Sequence, residues 1–129
     1  MLDLSFGEFY NDKNDDFSGI YVLKNETEVL YVGMSRTGIW HRWFNTRSPH
    51  ILVDFYTDKM AGWSSAGQEV VDNLPDSMNW RIELWRMPDL REYFGSQEAA
   101  KGYILDRLDL DHYEHCMIKE RRPSLNALS

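Results

Sequence analysis

The sequence predicts an α+β fold in which a small three-stranded antiparallel sheet is flanked by helices. Residues 19–24 and 28–33 alternate on either side of a short polar loop, as the two strands of a β-hairpin do. Residues 79–87 alternate again and supply the third strand. Between and after these strands, apolar residues recur at helical spacing, often behind a serine or glycine that suits a helix start.

The composition is that of one packed domain. The chain has 129 residues, of which 43% are hydrophobic, with five tryptophans and seven tyrosines, enough to bury a core. Its single cysteine, Cys116, excludes an internal disulfide and suits a reducing compartment. Residues 1–17 are interpreted as an acidic lead-in to a domain of residues 18–129, and they lack the features of a signal peptide.

No apolar run approaches the roughly 20 residues that span a bilayer. We therefore expect a soluble cytoplasmic protein with no membrane partner.

The hairpin register follows if residues 25–27 form the loop. Tyr21 then faces Tyr31, and Gly19 faces Gly33. This register places compatible side chains opposite each other on both faces of the hairpin, whereas a slip of one residue would move them to the wrong faces. This register predicts that both tyrosines lie on one face of the sheet.

The helices are predicted from local patterns. The first begins at Thr37 or Gly38 and carries an apolar stripe. Residues 50–60 are interpreted as a second helix, and residues 64–74 as a third that starts at a serine cap. A helical turn is expected at 89–95. Ser96 then caps a last helix at 97–120, with a break possible near 108–110 before Pro123 ends it. The stripe of the first helix consists of Ile39, Trp40, Trp43 and Phe44.

The motifs, taken together, resemble those of the GIY-YIG nuclease superfamily. The two name-giving triplets stand at residues 19–21 (Gly-Ile-Tyr) and 31–33 (Tyr-Val-Gly). The arginine of the family, three residues after an apolar helix position, matches Arg42 behind Ile39. Its closing pattern, from a helical glutamate to an asparagine, matches residues 114–126 (EHCMIKERRPSLN). The resemblance thus covers nearly the whole chain.

The resemblance implies a divalent-metal-dependent endonuclease that hydrolyses DNA by in-line attack of water. It implies that Glu114 binds Mg²⁺ or Mn²⁺, since one carboxylate with waters and a substrate phosphate is a typical magnesium arrangement. Arg42 has the planar fork that fits a phosphate. Tyr21 serves as base or water positioner, and because the pKa of a free phenol is about 10, it needs help near neutrality. Tyr31 and Asn126 assist.

The chain departs from the family pattern in three places. The loop between Gly33 and Arg42 is one residue longer than is common in the family. Many members carry a histidine one helical turn after the arginine, where this chain has Thr46. His41 or His50 could take that role, or the role is absent. The middle of the chain, at about 48–78, matches nothing in the family.

Charge sets the expected partner. The net charge of −7 argues against a simple polyanion binder, because duplex binding depends on neutralised phosphates. Residues 31–53, however, carry three arginines and two histidines and no acid. We expect DNA as the partner, with specificity from the middle segment, the lead-in, a homodimer or a separate protein. The expected nucleic-acid contacts are Arg36, His41, Arg47, Lys119 and Arg122.

Simpler interpretations remain beside these. Two strand tyrosines commonly pack as a pair, and a helical arginine or glutamate is commonly a solvated surface residue. Trp63, Trp80 and Trp85 could belong to the core or to a partner surface. The alternative function is a catalytically degenerate binding or scaffolding module, favoured by the acidic charge. RNA or branched DNA also stays open as the substrate.

Overall fold

The computed structural model describes residues 1–13, 16–95 and 106–126, with side chains in the last range from residue 109 onward. The α+β architecture is confirmed. Four strands form an antiparallel sheet in the order β1-β6-β2-β3, and two more form a separate hairpin, β4-β5. In the described ranges, no helix is long and apolar enough to cross a membrane.

The bounds of the elements are as follows. The strands are β1 (Leu2–Ser5), β2 (Gly19–Lys24), β3 (Val29–Ser35), β4 (Ile51–Asp54), β5 (Lys59–Gly62) and β6 (Arg81–Trp85). The helices are α1 (Phe6–Asn11), α2 (Ile39–Phe44), α3 (Ser65–Asp72), α4 (Met87–Phe94) and α5 (Asp106–Arg121).

The prediction of three strands was wrong, because the supposed lead-in supplies a fourth. β1 pairs with β6, and α1 follows at once and buries Phe6 and Phe9. A capping box starts α1 directly after β1: the Ser5 hydroxyl accepts the N–H of Glu8, and the Glu8 carboxylate accepts the N–H of Ser5. The strand was missed because four residues give too short an alternation to recognise.

The predicted hairpin register was wrong by two residues. Tyr21 pairs with Gly33 and Leu23 with Tyr31, and a bulge follows Leu23. One cause is the loop, where the Asn25 side chain accepts two backbone N–H groups and so lengthens the turn. Because the shift is even, the faces are preserved. The prediction that both tyrosines share a face is confirmed, with ring centroids 6.2 Å apart.

The helix predicted from Gly38 is confirmed as α2, and its apolar stripe is buried. Gly38 offers no capping side chain, so Asp16 caps the helix from the preceding loop. The Asp16 carboxylate accepts the backbone N–H groups of Trp40 (2.8 Å) and His41 (3.2 Å). A Cβ on residue 38 would lie 2.3 Å from Asp16 Oδ2, so a larger residue there would displace the capping carboxylate.

The helix predicted at 50–60 was wrong, since this segment forms β4, a turn and β5. A short apolar run such as Ile51–Val53 fits either structure, and here the turn decides: the Asp54 carboxylate accepts the N–H of Tyr56, and Asp58 takes a positive φ of 56°.

The next helix is confirmed as α3, with Ser64 as its N-cap. The strand at 79–87 is confirmed as β6, and the turn at 89–95 lies in α4. The last helix is confirmed over 106–121, where it runs unbroken. Its predicted start at Ser96 lies outside the described residues.

The sheet has a core on each face. On the face that carries Tyr21, strand side chains pack against α1, α2, β4 and α3. On the opposite face, Ile20, Val22 and Val32 pack against α4 and α5. Helix α5, which carries Glu114, packs on β2 and β3. β3 is an edge strand of the sheet and lies next to α5. A charged side chain of α5 can therefore act electrostatically around that edge on the face that carries the tyrosines.

Candidate active site

Tyr21 lies at the floor of the candidate site. Its side chain is buried and packs against Trp43, and its hydroxyl oxygen is 2.6 Å from Nε2 of His50. Gly33 makes this position available, because a Cβ there would lie 2.4 Å from the Tyr21 hydroxyl. Burial raises the pKa of Tyr21 well above 10, and the neighbouring phenol of Tyr31 adds to the effect. Tyr21 is therefore a neutral phenol at working pH.

His50 is held between two hydroxyl groups. Its Nε2 faces Tyr21, and its Nδ1 lies 2.6 Å from Oγ of Ser64. Burial, with the charge of Arg42, lowers the pKa of His50 to about 3, so the ring is neutral. A neutral imidazole donates one hydrogen bond and accepts the other, so both of its nitrogens are satisfied. Of the two histidines considered as substitutes, His50 is the one that contacts Tyr21.

The β4–β5 hairpin fixes His50 by closing at that residue. The carbonyl of His50 accepts the N–H of Trp63 (2.9 Å) and that of Ser64 (3.4 Å). A Cβ on Gly67 would lie 1.7 Å from this carbonyl oxygen, so α3 can approach only with glycine there. This contact could not be predicted from the sequence, because it joins residues on opposite sides of a hairpin that was not predicted.

Arg42 lies on α2 at the margin of the site and is partly exposed. Its guanidinium donates to the carbonyl of Ser48 (2.8 Å). Its positive charge partly offsets the rise that burial causes in the pKa values of Tyr21 and Tyr31. For His50 it lowers the pKa in the same direction as burial does. The charge of the arginine therefore acts on both tyrosines.

Glu114 approaches the same pair from α5. Its negative charge raises the pKa values of Tyr21 and Tyr31. Burial raises the pKa of Glu114 itself, and the carboxylate of Asp111 adds to this, while His115 and Arg36 oppose it. Deprotonated Glu114 thus lies in an environment where a cation would relieve an electrostatic cost.

The fit to a divalent metal rests on that one carboxylate. Within the described ranges, no group of three or more histidine, cysteine, aspartate or glutamate side chains could hold a metal ion. A magnesium ion needs no such cage, because it keeps several waters and commonly takes one or two carboxylates together with substrate phosphate. Glu114 suits this arrangement, with Asp111 one helical turn away.

Asn126 is bound to the edge of the sheet. Its amide accepts the N–H of Val32 and donates to the carbonyl of Val32, each at 2.8 Å. The preceding backbone continues this pairing, since Ser124 and Leu125 donate to the carbonyls of Val29 and Leu30. The contacts of Asn126 therefore support β3, next to Tyr31.

The predicted nucleic-acid contacts fall into two groups. Arg36 is ion-paired with Asp111 (2.7 Å), and His41 contacts the carboxylate of Asp16 that caps α2. The second group is exposed and meets no carboxylate in the described part of the chain; it consists of Arg47, Lys119 and Arg122.

The protein is α+β, and its contacts bring together two phenols and an imidazole. The charges of a guanidinium and a carboxylate act on the phenols of this site. Comparisons with protein-family models, curated proteins and solved structures found no match to this chain. The assignment of function therefore rests on the residues of the site.

Proposed function

We propose that this chain is a divalent-metal-dependent endonuclease of the GIY-YIG type that hydrolyses DNA phosphodiester bonds by in-line attack of water. In its support, the rings of Tyr21 and Tyr31 stack with centroids 6.2 Å apart. The charges of Arg42 and Glu114, from helices far apart in the sequence, both shift the pKa values of these two phenols. A positive and a negative group therefore lie within electrostatic range of one pair of phenols. A phosphate between them would meet the arginine on one side and a carboxylate-bound cation on the other.

Arg42 binds the non-bridging phosphate oxygens in this mechanism. Its guanidinium stays charged at any working pH and offers parallel N–H donors. The bond to the Ser48 carbonyl uses one donor and fixes the side chain, which leaves others for phosphate. Stabilisation of developing charge by such fixed donors is commonly worth 10²–10³-fold in rate.

Glu114 would hold Mg²⁺ or Mn²⁺. When bound, the cation polarises the phosphoryl group and makes the attacking water more acidic. The raised pKa of Glu114 makes metal affinity pH-dependent, because the carboxylate must lose its proton before it binds the cation.

The two tyrosines take different roles. Tyr21 is buried, its hydroxyl is engaged with His50, and its pKa is raised well above 10, all of which favour positioning over the role of base. Tyr31 is only partly buried and packs against the rings of both Tyr21 and His50. Tyr31 is therefore the phenol that can orient the attacking water or the phosphate at the candidate site.

The alternative function is a catalytically degenerate module that binds or scaffolds. The observation in its favour is that acids already occupy Arg36 and His41, in a chain of net charge −7. A module of this kind would keep the arrangement of the site residues but would not hydrolyse DNA.

Nicking of supercoiled plasmid in Mg²⁺, Mn²⁺ or EDTA separates the two functions. We expect metal-dependent nicking by the parent, a loss of at least about 10²-fold in Arg42→Ala and no nicking by Glu114→Ala. Glu120→Ala, an exposed glutamate on the same helix, serves as the matched control and should keep full activity. If the folded parent cleaves neither plasmid nor single-stranded or branched DNA in either metal, the nuclease assignment is wrong and the binding module takes its place.

A further inference from the structure

Exposed apolar side chains are concentrated on the β4–β5 hairpin and at Trp63, the residue that directly follows it. Tyr56 at the turn is fully exposed, and Trp63 after β5 is 61% exposed. Leu52 and Phe55 on the same hairpin are 44% and 52% exposed. Clustered apolar exposure of this kind marks interaction surfaces.

This hairpin is continuous with the candidate active site. Its two ends are His50 and Ser64, which hydrogen-bond each other through their side chains. Trp63 directly precedes Ser64, and its N–H donates to the carbonyl of His50. β4 has four residues and so spans roughly 13 Å. A DNA strand whose phosphate lies in the site and which runs along this hairpin would reach Trp63 and Tyr56 within a few nucleotides.

Candidate phosphate contacts near the site are few among the residues that the structure describes. Duplex binders that neutralise about 6–10 phosphates obtain most of their affinity from those contacts. Here Arg36 and His41 are occupied by acids, and Arg42, Arg47, Lys119 and Arg122 are the candidate phosphate contacts that remain.

The hairpin itself carries Asp54, Asp58 and Lys59, so it does not attract phosphate. What its aromatic rings offer is stacking, worth about 1–3 kcal/mol per unpaired base and largely independent of sequence.

We propose that the β4–β5 hairpin binds unpaired bases of DNA by stacking on Trp63 and Tyr56. The substrate class is then DNA with a single-stranded segment beside the scissile phosphate, such as a splayed fork or a flap. The stacking of unpaired bases is inferred from the exposed rings of the hairpin, whereas the choice of DNA and the word substrate rest on the proposed nuclease function.

Binding is measured by fluorescence anisotropy in EDTA, so that no cleavage occurs. The probes are one labelled sequence as a single strand, as a full duplex and as a splayed fork, with single-stranded RNA as a fourth arm. We expect fork and single-stranded DNA to bind more tightly than duplex. Trp63→Ala and Tyr56→Ala should each weaken fork binding by about 5–150-fold.

Two controls accompany these variants. Trp63→Phe keeps a ring and should bind within a few-fold of the parent. Tyr93→Ala removes an exposed aromatic outside the hairpin and should change nothing. With about four phosphate contacts, log Kd should change with log salt by no more than about 3 for single-stranded DNA and about 4 for duplex.

Three outcomes would overturn the proposal: duplex bound as tightly as fork, fork binding unaffected by Trp63→Ala and Tyr56→Ala, or RNA preferred over DNA. The result is independent of the cleavage assay. Plasmid nicking without ring-dependent fork binding removes this inference and keeps the nuclease. Ring-dependent fork binding without cleavage of any substrate keeps this inference and removes the nuclease.

Discussion

The hydroxyl oxygen of Tyr21 and Nε2 of His50 lie 2.6 Å apart in the buried centre of the protein. Burial moves their pKa values in opposite directions, that of the phenol well above 10 and that of the imidazole down to about 3. Both groups are therefore uncharged throughout the neutral range. The contact is a hydrogen bond between neutral partners, and it orients Tyr21 beneath Tyr31.

His50 should make the stability of the protein depend on acid pH. Its pKa is about 3 when folded and about 6.5 when unfolded. Below pH 6.5 the unfolded chain binds the proton more readily, so stability is full above that pH and falls as pH drops toward 3, by on the order of 4 kcal/mol. Urea unfolding at pH 7.5, 6, 5 and 4 measures this decline.

His50→Gln is the control for that experiment. It removes the titrating ring, so its stability should decline less between pH 7.5 and 4 than that of the parent. Glu114, whose pKa is raised, contributes in the opposite sense in both proteins and cancels in the comparison. Equal slopes for parent and variant would contradict a buried neutral His50.

Gly33→Ala should displace the Tyr21 ring. The new methyl group would lie 2.4 Å from the hydroxyl oxygen and 2.5 Å from Cζ, and a rigid ring cannot avoid it by a rotamer change within β2. We expect a loss of about 1–3 kcal/mol in the free energy of unfolding. Because the ring carbon also clashes, Tyr21→Phe should not relieve the loss, whereas Tyr21→Leu should relieve most of it. A double-mutant cycle by urea unfolding measures this coupling.

Gly7→Ala is the matched glycine control. Its added methyl group meets nothing closer than 3.3 Å and lies in α1, where alanine is favoured. If Gly33→Ala costs no more than Gly7→Ala, the close contact between Gly33 and Tyr21 is wrong.

Glu83→Gln should loosen the helix that carries Glu114. The buried Glu83 carboxylate on β6 accepts from Arg121 on α5 (2.9 and 3.0 Å), from Trp85 Nε1 and from Lys24. Removing one charge of a buried pair costs about 3–5 kcal/mol, and we expect the lower end because both cations are partly exposed. Urea midpoints measure the change.

Asp3→Asn is the comparison for Glu83→Gln. Asp3 pairs with the same Lys24 but is 37% exposed, so its loss should cost less than about 1 kcal/mol. Similar losses for the two variants would show that burial of Glu83 adds nothing.

Asn126→Ala should open the edge of β3. It removes two hydrogen bonds to Val32, each worth about 1 kcal/mol, and leaves the Val32 N–H without its acceptor. Amide hydrogen exchange at Val32 should accelerate, with little change at Val22 in the centre of the sheet. Ser124→Ala, whose hydroxyl makes only a 3.5 Å contact to Glu28, should leave exchange at Val32 unchanged.

The parts of the fold that the sequence predicted are those with strong local signals. The alternation around residues 19–33, the stripe beginning at Ile39 and the serine at position 64 each determine an element with little help from the rest of the chain. β1 and β4 were missed because each has only four residues and acquires its identity from its partner strand.

The candidate site shows the same division. Tyr21, Tyr31, Arg42 and Glu114 were named from motifs that resemble those of a known family. In the structure, the charges of Arg42 and Glu114 shift the pKa values of the two tyrosines. The link from His50 to Ser64 could not be predicted, because it exists only once a hairpin closes between them. For the same reason, the sequence could not decide whether Trp63 is buried or exposed, since its burial depends on which other elements pack against the hairpin.

The pairing of Ser124–Asn126 with β3 has a consequence for self-association. Growth of a sheet into a fibre requires each copy to offer two open strand edges, one to receive a neighbour and one to pass the pattern on. Over residues 29–32 of β3, the contacts of residues 124–126 already use this edge internally. A strand from another copy would have to displace them before it could pair along that stretch.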